Sequence, residues 1–255
     1  MKKFIYMIFI PVVALAFFTS CNNDYVIGGE INPTNQMDMT TFEFLQSLEI
    51  TQQVATLFER AGMKDVINGD VTIIAPTQWS INRYLRRRHN VELRSNPNAP
   101  ELTINDISAD ELKQMGMYVI QGRYWRENLT AGGTFLKTLN GMDVFLTYDE
   151  TNIDPGVAWD GAGDPRWGYQ YSRFTQVKPK LVHILYKRGN NWEFDGAQRG
   201  NPDLPEIDQF YRMYMADVLT KNGVVHILYS GDYTYNEHYY YHSLFFYGTR
   251  NDDRF

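Results

Sequence analysis

The 255-residue chain contains one cysteine, Cys21, so no disulfide can form within it. It has no Gly-x-Ser-x-Gly elbow, no His-Glu-x-x-His pair and no glycine-rich phosphate loop after a strand. The usual sequence signatures of serine hydrolase, zinc protease and nucleotide chemistry are therefore missing. No repeat of solenoid period is present. A basic stripe is missing too: the formal charge is −6, and loss of Lys2 and Lys3 with a leader would make it two units more negative. Phosphate would meet no offsetting charge, which excludes nucleic acid as a partner. The one basic run, Arg86-Arg87-Arg88-His89, is short and reads as a solvated helix end whose cations suit the C-terminal dipole. No apolar run reaches the roughly 20 residues a spanning helix needs. The longest, from Phe4 to Phe18, is interrupted by Pro11.

That run follows Lys2-Lys3 and ends in Phe18-Thr19-Ser20-Cys21. A basic start and a short apolar centre read as a secretory signal. The small residue before Cys21 suits cleavage, and the ending resembles a relaxed lipobox of bacterial lipoproteins. The resemblance implies lipid attachment at Cys21; the plainer alternative is an ordinary signal with an incidental cysteine. Several acyl chains would hold the protein stably at a membrane where one would not. The expectation is an exported protein, anchored by lipid to a bacterial outer membrane and exposed at the cell surface. Residues 1–21 are then the signal and anchor, and residues 22–38, with Gly28, Gly29 and Pro33, a flexible tether.

The rest is organised around Asn222-Gly223-Val224-Val225-His226-Ile227-Leu228-Tyr229-Ser230. An Asn-Gly pair accepts φ > 0 cheaply and favours a tight reversal. The apolar run after it lacks polar alternation, which is how a strand buried on both faces reads. Val71-Thr72-Ile73-Ile74-Ala75-Pro76-Thr77 is its counterpart, and both should belong to one core. Before that strand, Thr40 with Glu43 predicts a capping box, and Phe42, Leu45, Leu48 and then Val54, Leu57, Phe58 and Ala61 mark helix faces ending at Gly62. Thr77 is expected to N-cap a helix carrying Trp79, Ile81, Tyr84 and Leu85, with Trp79 in the core. Residues 90–105 read as a loop, and Ser108 to Glu111 as a second capping box opening a helix to about Gly116. Tyr118–Ile120, Thr134–Leu139 and Met142–Tyr148 read as strands, with Asn140-Gly141 as a hairpin turn. Lys180–Tyr186 reads as a further strand, and Phe210–Leu219 as packing back on the core.

Val71–Thr77 resembles the first box of the fasciclin-like domain, a strand ending in Ala-Pro-Thr before a helix. Asn222–Ser230 resembles its second box. Thr41–Met63 resembles its opening helices and Leu112–Tyr124 its middle segment, so four pieces occur in order across residues 39–232. The resemblance implies an α+β fold: a fasciclin-like β-wedge of mixed strands with helices packed at one end. Residues 149–215 would be a large insertion before the last core strand, and residues 233–255 an aromatic extension. Where the family often has a Tyr-His pair, Met117-Tyr118 stand here. An adhesive or interaction role is what the resemblance implies.

Candidate chemistry is sparse. His238 and His242 are four apart, a zinc spacing on a helix, but Tyr239-Tyr240-Tyr241 favours a strand, where they would be packed or solvated. Asp160-Gly161-Ala162-Gly163-Asp164 has oxygen ligands without the closing Glu of a calcium loop. His226 reads as a core histidine bonded to backbone. No metal, cofactor or enzymatic activity is expected. The remaining candidate is the aromatic, acidic stretch holding Trp159, Trp167, Tyr169 and Tyr171. Exposed rings beside carboxylates suit sugars; the alternative is that they cover the insertion's own small core. Two functions stay open: a lipid-anchored, non-catalytic adhesion or interaction protein binding an extracellular protein or glycan, and a glycan-binding accessory lipoprotein of a polysaccharide-uptake system.

Overall fold

The computed structural model describes residues 36–130, 133–149, 181–187, 192, 209–229 and 242–246. The fold is α+β. Three helices come first: α1 (Thr41–Ser47), α2 (Glu49–Arg60) and the single turn α3 (Lys64–Ile67). Strand β1 (Val71–Ala75), helix α4 (Gln78–Leu93) and the short α5 (Ala109–Leu112) follow. Then come strands β2 (Val119–Gln121), β3 (Thr134–Lys137), β4 (Asp143–Asp149), β5 (Leu181–Tyr186), β6 (Gln209–Leu219) and β7 (Val224–Leu228).

The helix boundaries follow from local chemistry. The Thr40 hydroxyl accepts from Glu43 N–H at 3.3 Å while the Glu43 carboxylate accepts from Thr40 N–H at 2.8 Å. Such a cap contributes about 1 kcal/mol. Helix α2 buries Val54, Ala55, Leu57 and Phe58 on one stripe and stops at Gly62, whose φ is 69°. Met63 N–H returns to Phe58 O and Gly62 N–H to Glu59 O, the paired bonds of a left-handed glycine stop. Ser108 and Glu111 form the expected second box. Thr103 and Asp106 form another inside the stretch read as a loop, and α4 runs on to Leu93.

Two expectations for α4 are corrected. Thr77 holds the N-cap position, but its hydroxyl makes no cap bond and has no partner among the described residues. Trp79 is 37% exposed rather than core. The buried face is set by Ile81, Tyr84 and Leu85, and a residue two positions before Ile81 lies some 200° round the helix from it.

The strands form one sheet of order β2-β1-β7-β6-β5-β4-β3. The two motif strands, β1 and β7, are neighbours and parallel, with Thr72 opposite Val224 and Ala75 opposite Ile227. All ten of their positions are buried, as their unbroken apolar runs require. The other pairings between these strands are antiparallel, and Gln36 adds a single parallel bridge to Leu219. The described parts of residues 149–215 supply β5 and most of β6 to this sheet.

Strand β6 bends the sheet. Its first residues pair with β5, Tyr211 facing Ile184, and its later ones with β7, Leu219 facing Val224. Between them the register slips twice, once from Met213 to Met215 and once from Met215 to Val218. Each slip adds an unpaired residue, which kinks and twists a strand so that it can pass from one layer to the next. The edge strands then approach each other: Ile120 bridges Thr138, and Leu139 N–H donates to Val119 O at 2.8 Å. Helical residues pack on the β1–β2 side. The core runs through both layers, from Leu45, Leu57 and Phe58 to Val144, Leu146 and Ile184.

The Asn222-Gly223 turn works by a different route from the one its sequence suggests. Neither residue has positive φ. A Cβ on Gly223 would lie 2.6 Å from Val71 O and 3.2 Å from Thr41 Oγ1, so glycine is required by the close approach of β1. Gly223→Ala should therefore destabilise by about 2 kcal/mol, because backbone must shift. Gly141→Ala, at a φ of 88° with open space around it, should cost only about 1 kcal/mol. Thermal melts of the two variants check this; equal losses would mean the approach is not what fixes Gly223.

Candidate functional site

The bulged stretch of β6 carries a buried polar cluster that ties it to β7, β1 and the segment after β2. Asp217 takes φ 60°, a conformation that non-glycine residues rarely hold and that Asp tolerates better than most. Its N–H donates to Nδ1 of His226, 3.1 Å away on β7. His226 Nε2 in turn donates to Tyr124 O at 2.9 Å. Both ring nitrogens thus meet backbone groups, which fixes the neutral tautomer with its proton on Nε2. Burial holds the imidazole below its ordinary pKa of 6.5, against the pull of the Asp217 carboxylate and the Tyr124 carbonyl. His226 is the backbone-bonded core histidine expected.

The Asp217 carboxylate turns to Arg126, accepting from its N–H at 2.9 Å and from Nε at 2.7 Å. Thr72 on β1 completes the set: its hydroxyl accepts from Tyr124 N–H and donates to Gly122 O, both at 2.8 Å. The segment from Gly122 to Arg126 is thereby clasped to three strands. The cluster resembles an Asp-His pair in composition only. The carboxylate points its bonds at arginine, and the histidine nitrogen that a nucleophile would need is held by Tyr124 O. Its chemistry is structural.

A second histidine lies deeper. His242 is fully buried, with Nε2 2.8 Å from Tyr118 Oη, and Tyr118 Oη also accepts Phe245 N–H at 3.1 Å. The rings of Tyr118 and Tyr211 stand edge-on to it at 5.4 and 4.8 Å, and Tyr186 stacks at 6.5 Å. Burial in this box lowers the His242 pKa to about 3. The residues after His242 plug the helix side: Leu244 is fully buried and Phe245 meets Tyr84 edge-on at 5.4 Å. Tyr84 donates to Glu111, which pairs with Arg88 at 3.0 Å. Met117 and Tyr118, at the middle-segment position, are 2% and 0% exposed and belong to this core.

The exposed chemistry is elsewhere. Phe135 on β3 is 60% exposed, and its ring lies 4.7 Å from Phe145 and 5.2 Å from Trp192. Lys137, on the same face two residues along, pairs with Asp143 at 2.6 Å. The patch was not legible in the sequence: Thr134–Leu139 reads only as a strand, and it takes the pairing with β4 and the return of the chain at Trp192 to gather the three rings.

Cys21, Trp159, Trp167, Tyr169, Tyr171, His238 and the Asp160–Asp164 stretch all lie outside the described residues. Among the described residues no three His, Cys, Asp or Glu side chains are placed to hold a metal ion, and no helix is long and apolar enough to cross a membrane.

No family model and no curated protein matches the chain. Among solved structures it is similar to a FAS1 domain pair from the insect cell adhesion molecule fasciclin I. Identity is 15% and the TM-score 0.35, over 71% of this chain and 44% of that one. The chain spans less than half the length of that structure, and at this score the match does not fix the fold family.

Proposed function

We propose that the chain is a lipid-anchored cell-surface interaction protein built on a fasciclin-like domain, without catalysis. The observation that carries this is the direct pairing of β1 with β7. The two stretches that resemble the family's boxes are hydrogen-bonded neighbours in the interior of one sheet. His226 of the second box ties the middle segment to that pair. The lipobox-like Phe18–Cys21 supports attachment, by way of the tether, to a bacterial outer membrane. The partner is then an extracellular protein or glycan met at the cell surface.

Cys21→Ala should release the protein from the detergent-extracted lipoprotein fraction or leave it at precursor size. Immunoblots of fractionated cells read this. A variant that stays in that fraction at mature size would end the lipid-anchor reading.

A second reading has its own observation. The exposed Phe135 ring, grouped with Phe145 and Trp192, favours a glycan-binding accessory lipoprotein of a polysaccharide-uptake system. On that reading Trp159, Trp167, Tyr169 and Tyr171 extend the ligand surface.

A further inference from the structure

We propose that the outer face of the β3–β4 hairpin binds an acidic oligosaccharide, one pyranose ring stacking on Phe135 with its carboxylate at Lys137. The inference rests on the glycan reading above and gives it a site and a ligand class.

The rings are held in place before any ligand arrives. Phe135 and Phe145 face each other in register across the hairpin. Phe145 lies against Gly133, where φ is 77° and a Cβ would overlap its ring. Trp192 closes the third side, 5.2 Å from Phe135 and 6.3 Å from Phe145. Among the described residues two rings support the most exposed one, which presents an apolar surface of the kind the C–H face of a sugar covers.

The polar groups stand where a stacked ring would reach them. Lys137 lies two residues from Phe135 on one face of β3, about 7 Å along the strand. Asp143 is directly opposite Lys137. Lys187 Nζ lies 4.0 Å from the same carboxylate and 5.7 Å from the Trp192 ring. Asp143 offers an acceptor for sugar hydroxyls, held ionised because the Lys137 ammonium depresses its pKa. Two ammonium groups share that single carboxylate. Among the described residues this leaves an excess of positive charge at the patch, in a chain whose formal charge is −6. A sugar carboxylate complements that local reversal of sign; a neutral sugar would use only the rings.

The test measures binding of the full-length chain in detergent to polygalacturonate and to neutral dextran, by affinity electrophoresis over a range of salt. Polygalacturonate should bind at least about tenfold more tightly, and the difference should shrink as salt screens it. Phe135→Ala and Trp192→Ala should each weaken binding about tenfold with unchanged thermal midpoints. Lys137→Gln should remove the preference for the acidic polymer. Tyr214→Ala, at a residue 57% exposed on β6, should change nothing. Equal affinity for the two polymers overturns the assignment of the carboxylate. Tight binding that survives both aromatic substitutions overturns the site and leaves the glycan reading standing. Binding to neither polymer overturns both.

Discussion

Lowering the pH from 7 to 5 should reduce the unfolding free energy by about 2 kcal/mol through His242, with His226 adding to the loss in the same direction. Both are fully buried, and burial depresses the pKa of each below the ordinary 6.5, to about 3 for His242. In the unfolded chain each takes up a proton as pH falls through 6.5, whereas in the folded chain His242 stays neutral to pH 5 and His226 takes up its proton at lower pH than in the unfolded chain. The unfolded state therefore binds more protons, and stability that is complete above pH 6.5 is lost as the pH falls below it. His242 contributes about 1.4 kcal/mol per pH unit in that window, or about 2 kcal/mol by pH 5, and His226 adds to it with the same sign. The carboxylates with depressed pKa, such as Asp106 and Asp143, titrate at lower pH. Urea unfolding at pH 7, 6 and 5 measures the slope. His242→Phe should lower the slope by about 1.4 kcal/mol per pH unit, whatever that variant does to stability at pH 7. A flat profile between pH 6.5 and 5 would show that protons reach both rings in the folded chain.

Asp217→Ala should destabilise by about 3 kcal/mol, more than any other single loss in the clasp. Two contributions add. The Arg126 N–H and Nε lose their acceptor, which costs about 2 kcal/mol; the Arg126 side chain is 37% exposed, so water recovers part of the loss. Alanine at φ 60° adds about 1 kcal/mol of backbone strain. Replacements separate the two. Asp217→Asn keeps acceptors and tolerates the backbone, and should lose about 1 kcal/mol. Asp217→Gly keeps only the backbone freedom and should lose about 2 kcal/mol. Chemical denaturation should thus rank them Asn, Gly, Ala. If Gly is as damaging as Ala, the backbone conformation contributes nothing, and the carboxylate carries the whole effect.

The parts of the fold legible in the sequence are those fixed within a few residues. The strand Val71–Ala75 and its partner Val224–Leu228 announce themselves because burial on both faces leaves no room for polar alternation. The Thr40–Glu43 and Ser108–Glu111 boxes are legible because each closes within one helical turn. What distance in sequence decides was hidden. Nothing near Gly223 discloses that Val71 O will press against it. Nothing near Asp217 discloses a partner 91 residues away. The aromatic patch escaped for the same reason, since Trp192 reaches Phe135 only across the sheet. Trp79 misled because size argued for burial while helical phase argued against it, and phase prevailed.

The pairing of β1 with β7 bears on how the protein comes to be folded at all. About 150 residues separate the two strands, and β7 lies between β1 and β6 in the finished sheet. A chain emerging N-terminus first from a ribosome or a translocation channel can assemble its opening helices early. It cannot join the two halves of its sheet until Val224–Leu228 has been delivered. Until then β1 lacks its inner neighbour and β6 lacks the strand that fixes its bends. If the chain is exported as proposed above, that order keeps the architecture open until a segment about 150 residues beyond β1 has been threaded through.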